Sequence, residues 1–193
     1  CTSAHQSRCG SIGVDMFRNL NHALRWTFEV LARDITGYSN TAAIMRLGEQ
    51  CGASASTSPD DLTIQEQKAQ AVWVSDLIYH NTNLQEYCAI ELFYNPSNYS
   101  NFADLQIVAN QLKPTGLFNG CTDYLICDLI ANICKSKNPE HEMKFIADKF
   151  GLHRSKLYRL RDRIEKQLKE WQYLGEQKIE LALIEKGLIN RLT

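Results

Sequence analysis

No apolar run in the sequence approaches the ~18 residues that a membrane-crossing helix needs, so none is expected. No sustained period-two alternation is present either, which argues against strands. Internal repeats are absent, and the only biased tract is the short Ala-Ser-Ala-Ser-Thr-Ser stretch at 53–58. No nucleophile elbow, phosphate-binding loop or His-Glu-x2-His pair occurs. The one paired carboxylate, Asp60-Asp61, stands where a helix is expected to start, and acidic residues there complement the helix dipole. Neither enzymatic activity nor a cofactor is therefore expected. Net charge is also scant, at -1, so the chain as a whole carries no signature of a polyanionic partner.

Cysteine is present in an odd number, seven, and Cys88, Cys127 and Cys134 fall inside apolar helical runs. That pattern suits reduced, buried thiols in a cytoplasmic protein better than a secreted disulfide framework. Cys1, His5 and Cys9 are three soft ligands at regular spacing. A structural zinc site wants four ligands and a tighter Cys pair, so no metal is expected. No signal peptide is visible, and because the chain opens on Cys1 rather than Met, a trimmed start is expected.

What is there is helical periodicity. At 193 residues the chain can bury a real core without staples, and its 44% apolar and 22% charged content is ordinary for a globular protein. After a loosely ordered N-terminus over 1–13, a helical body is expected over 14–136, with a polar connection at 36–60. Phe17, Leu20, Leu24, Phe28, Leu31 and Ile35 form one stripe, with Asp15 as N-cap and Gly37 as stop. A short helix is expected around Ala42–Leu47, and a second long one from Pro59-Asp60 to about Tyr79. Further helices follow over 84–94, 102–112 and 122–134, the last apolar nearly all round and so central. The fold class read from this is all-α: a multi-helix body, a C-terminal helix-turn-helix over 137–173, and a final amphipathic helix over 174–193 broken off near Gly175. That final helix has two fates open to it, packing back on the body, which is the commoner, or forming a homodimer.

The charge is unevenly placed. Residues 135–169 hold eleven of the 21 Lys and Arg but five of the 22 Asp and Glu, a net +6 against -7 for the rest. Such asymmetry marks a nucleic-acid module on an acidic body, the alternative being a solvated helix face. The same segment has the grammar of a helix-turn-helix. Ala147 is the small residue that a tight helix crossing demands, Gly151 four positions later suits a turn with positive φ, and Ile146, Phe150, Leu152, Leu157 and Leu160 supply a small core. Leu157, Leu160, Ile164, Leu168 and Trp171 then run as one buried stripe.

In this motif the start of the second helix lies in the major groove of double-stranded DNA. His153, Arg154, Ser155, Tyr158, Arg159 and Asp162 are then directed at bases or adjacent phosphates, where Arg can pair with guanine. Lys144, Lys149, Lys156, Arg163 and Lys166 are placed to neutralise phosphates. For any one of these cations, simple solvation is the competing explanation. Tyr158 can stack on a sugar or base or cap the small core, and His153 reads as a cap or phosphate contact.

The segment Ile146–Leu168 resembles the fourth region of bacterial sigma factors and related phage regulators. Leu24-Arg25-Trp26-x-Phe28, Arg33-Asp34-Ile35, a Ser/Thr stretch, Met45-Arg46 and Gln67-x-Ala69-Gln70-Ala71 are similar to small phage proteins described as antitermination-Q-like, over about residues 20–170. That resemblance implies a phage or prophage regulator of late transcription, which binds DNA near a promoter and engages host RNA polymerase. One departure is that lambda-type members carry a zinc-binding cysteine cluster, which this chain lacks. Two alternatives compete: a small-terminase-type packaging protein, and a helix-turn-helix turned to protein interaction, inhibiting a host machine.

Overall fold

A computed structural model describes residues 16–33, 58–95, 102–116, 120–134 and 139–190. Among these residues the fold is all-α, as expected, with no strand. The helices are α1 (Leu20–Ala32), α2 (Ile64–Asn81), α3 (Leu84–Tyr94), α4 (Phe102–Leu112), α5 (Asp123–Ile133), α6 (Met143–Phe150) and α7 (Arg154–Glu185). The expected helix at 42–47 and the Cys1, His5, Cys9 trio lie outside the described residues.

Local chemistry fixes most boundaries. Thr63 and Asn83 open α2 and α3 through reciprocal capping boxes with Glu66 and Glu86. At α3 the Glu86 N–H donates to Asn83 Oδ1 at 2.9 Å, and the Asn83 N–H donates to Glu86 Oε2 at 3.0 Å. Thr122 caps α5 by accepting from the Leu125 N–H. Asp61 sits in a 3₁₀ turn ahead of α2 rather than in its first turn. The stripe through Phe17 does not mean that the helix begins at Asp15. α1 starts at Leu20, with the Asn19 side chain accepting from the His22 N–H at 2.8 Å. Phe17 is fully buried on the lead-in, against Trp26, and its N–H donates to Leu188 O at 3.0 Å.

Two buried clusters make up the core. One gathers α3, α4, α5, α6 and the first half of α7; the other gathers Phe17, α1, α2, Ile90 of α3 and the second half of α7 with Leu188 and Ile189. α5 is central to the first, with Leu125 through Ala131 all buried. α7 belongs to both. Its 32 residues span about 48 Å. Leu157, Leu160, Ile164, Leu168 and Trp171 face the first cluster, and Ile179 and Leu183 face the second. Burying each large apolar side chain contributes about 1.5–3 kcal/mol, so packing rather than helix propensity holds this long element in place.

The helix break expected near Gly175 is absent: α7 is continuous through it, and the final helix is its second half, packed back on the body. Gly175 is buried and meets α3 at close range. A Cβ built there would lie 2.6 Å from Ile90 Cδ1 and 3.1 Å from Glu86 Cβ. The glycine is a point of contact between helices, not a stop. Beside it the buried Glu86 carboxylate accepts from Lys178 Nζ, 2.7 Å from each oxygen. Tyr94 Oη and Gln172 Nε2 both donate to Glu176 Oε1 at 2.7 Å.

Candidate functional site

The basic segment folds as a short helix, a tight turn and a long helix. α6 ends at Gly151, which adopts φ 61° and ψ 31°, the left-handed conformation that a Cβ disfavours. The Leu152 N–H reaches back to Ala147 O at 3.1 Å, closing the turn. His153 then caps α7, its Nδ1 accepting from the Ser155 N–H at 3.3 Å and lying 2.8 Å from Ser155 Oγ. Ile146, Ala147, Leu157 and Leu160 are buried, and Phe150 and Leu152 pack half-buried against the same cluster. The residues expected to form a small core between these two helices are thus part of one larger cluster, to which α3, α4 and α5 also contribute.

All eleven residues expected to face a nucleic acid are exposed: Lys144 and Lys149 on α6, His153 at the cap, and Arg154, Ser155, Lys156, Tyr158, Arg159, Asp162, Arg163 and Lys166 on α7. They differ in their partners. Lys144, Arg154, Lys156, Arg159, Arg163 and Lys166 make no ion pair among the described residues. Lys149 is engaged within the fold: its Nζ donates to Asp128 Oδ2 at 2.8 Å and sits 5.3 Å from the Phe150 ring centroid. Asp162 pairs with Arg161 at 3.4 Å. These two expected contacts thus have roles inside the protein, for reasons that sequence spacing could not reveal.

Three residues that sequence reasoning passed over organise the site. Asp128, on α5, is buried with 8% exposure, and holds Lys149 on one side with His141 Nε2 4.0 Å away on the other. Asn132, one turn on, donates from Nδ2 to His141 O at 2.8 Å and accepts from Arg161 Nε at 2.9 Å. Arg161 in turn reaches Asp162 and, at 3.0 Å, Glu165. Glu165 is also gripped by Lys169 at 2.6 Å. That hydrogen bond, with the positive charge of Arg161 and Lys169, holds its carboxyl below the usual range. The signal available was polar residues on an otherwise apolar central helix, which require partners once buried.

The thiols do not join this site. Burial pushes Cys88 and Cys127 up to about 11 and Cys134 up to about 12. Cys88 and Cys127 are buried core groups; Cys134 caps the end of α5, and Cys121 stands just before its N-cap. No metal-holding group of three or more His, Cys, Asp or Glu occurs among the described residues. No described helix is long and apolar enough to cross a membrane. No family model, curated protein or solved structure matches the chain.

Proposed function

We propose that α6 and α7 form a helix-turn-helix that binds duplex DNA, and that the chain is a transcription regulator built on it. The observation that carries this is the set of six exposed, unpaired cations, Lys144, Arg154, Lys156, Arg159, Arg163 and Lys166, on a pair of helices joined by a left-handed glycine turn and anchored in the first cluster. Uncompensated charge at that density suits phosphate, whose neutralisation releases counterions and makes affinity fall with salt. Arg159 and Ser155 lie on the exposed face of the first turns of α7, the part of such a helix that reads base edges. The sequence resemblance to antitermination-Q-like proteins extends the proposal to late transcription in a phage or prophage, with bacterial RNA polymerase as second partner.

Titrating the protein into labelled duplex at rising salt tests it, and sequencing genomic fragments retained by the protein gives the site. Affinity that falls steeply with salt and a recurring retained sequence are expected. A second reading, a helix-turn-helix turned to protein interaction, is favoured by Phe145, 49% exposed on α6. Absence of duplex binding at low salt would select it.

A further inference from the structure

Between Arg154 and Lys169, α7 carries two carboxylates, Asp162 and Glu165, among its cations. Left free, they would repel phosphate within a helix turn of Arg163. Neither is free. Arg161 contacts Asp162 at 3.4 Å and Glu165 at 3.0 Å, while its Nε donates to Asn132 of α5 at 2.9 Å. Its side chain is 26% exposed, less than those of the ion-paired lysines Lys113, Lys149, Lys169 and Lys178. The guanidinium suits the task because its planar fork offers several donors at fixed angles, where an ammonium is a point charge. Asn132 passes the connection on to the His141 carbonyl, just ahead of α6. One side chain thus ties α7 to α5, and through it to the entry of α6, while it pairs with two acids of α7, Asp162 and Glu165.

Resting on the proposed DNA binding, we infer that Arg161 is a positioning residue for it. It does not touch DNA. Together with Lys169, which pairs with Glu165 at 2.6 Å, it balances the charge of Asp162 and Glu165 so that the unpaired cations act on phosphate undiminished. A purely structural role would give stability without any electrostatic coupling to those two acids.

The test is a cycle on the full chain, read as affinity for a random-sequence duplex at low salt, where base contacts do not enter. Arg161→Met is expected to weaken binding by about tenfold, a charge-contact scale. The pair Asp162→Asn with Glu165→Gln is expected to recover most of that loss in the Arg161→Met background. In the parent background the same pair is expected to strengthen binding only by about twofold, because Arg161 and Lys169 already balance those acids. Equal gains in both backgrounds overturn the inference, as does an Arg161→Met protein that binds like the parent. Should Arg161→Met fail to fold, the parent-background arm decides alone: a gain of about tenfold there shows that the acids were not neutralised. Parent protein that binds no duplex at all overturns instead the DNA-binding proposal on which this rests.

Discussion

At the scale of single residues, what separates a DNA-facing cation from a structural one is its partner rather than its position in the sequence. Lys149 and Lys144 both lie exposed on α6, but a buried aspartate on α5 claims only the first. Arg159 and Arg161 are two residues apart on α7, and only Arg161 turns inward to Asn132. On the cognate site, Arg159→Ala is expected to cost about 1–3 kcal/mol and relax specificity, as lost guanine contacts do. Lys166→Ala is expected to weaken all sequences alike and lower the salt slope by about one. Competition titrations with specific and random duplexes separate the two. The thiols give an independent check on burial. At pH 8 a thiol near 11 is about one thousandth ionised, so alkylation in the native state should spare Cys88 and Cys127, and unfolding should expose them. Native labelling of Cys127 at the unfolded rate would contradict its place in the core.

At the scale of elements, the sequence was most legible where punctuation is chemical. α3 and α4 have the bounds that periodicity and flanking residues predicted, because Asn83 caps one and the Lys113-Pro114-Thr115-Gly116 turn follows the other. It was least legible at Phe17 and Gly175. An apolar stripe cannot tell a helix from a buried lead-in, and a glycine cannot announce whether it ends a helix or admits a neighbour. The contact of Gly175 with Ile90 and Glu86 joins residues more than 80 positions apart, beyond any local pattern. Its consequence is testable. Replacing Gly175 by Ala gains about 1 kcal/mol in helix propensity. It also drives a methyl into a fully buried Ile90 and against the Glu86 Cβ, and such overpacking costs about 1–3 kcal/mol. The urea midpoint is therefore expected to fall; a rise would mean that α3 and α7 do not meet as closely as described. Gly151→Ala is expected to cost about 1–2 kcal/mol through its positive φ, and to weaken DNA binding as the turn distorts.

At the scale of the whole molecule, α7 joins the two clusters of the core. The apolar repeats that build each half were readable, as was the burial of Ile146, Ala147, Leu157 and Leu160. Their union into one element was not, because nothing in residues 154–185 reveals what the far end packs on. With a continuous helix shared between them, both clusters should unfold together. Trp171 reports on the first and Trp26 on the second, so in each variant keeping one of them as its sole tryptophan, with Trp73 also replaced, the fluorescence curve is expected to coincide with that variant's helix loss by circular dichroism. Separate midpoints would mean that the clusters fold independently. The shared helix also sets the exposed cations of α7 on an element held by both clusters, with the acidic excess of the chain elsewhere in sequence. The most direct measurement on this arrangement is the salt dependence of duplex binding, taken for the parent and for Arg159→Ala, Arg163→Ala and Lys166→Ala together. The parent is expected to lose affinity with a log–log slope of about -3 to -5, given six available cations and roughly 0.9 per phosphate, and the triple variant to show a slope shallower by about two to three. A parent that binds no duplex at low salt, or a triple variant with the parent's slope, would contradict DNA binding through α7.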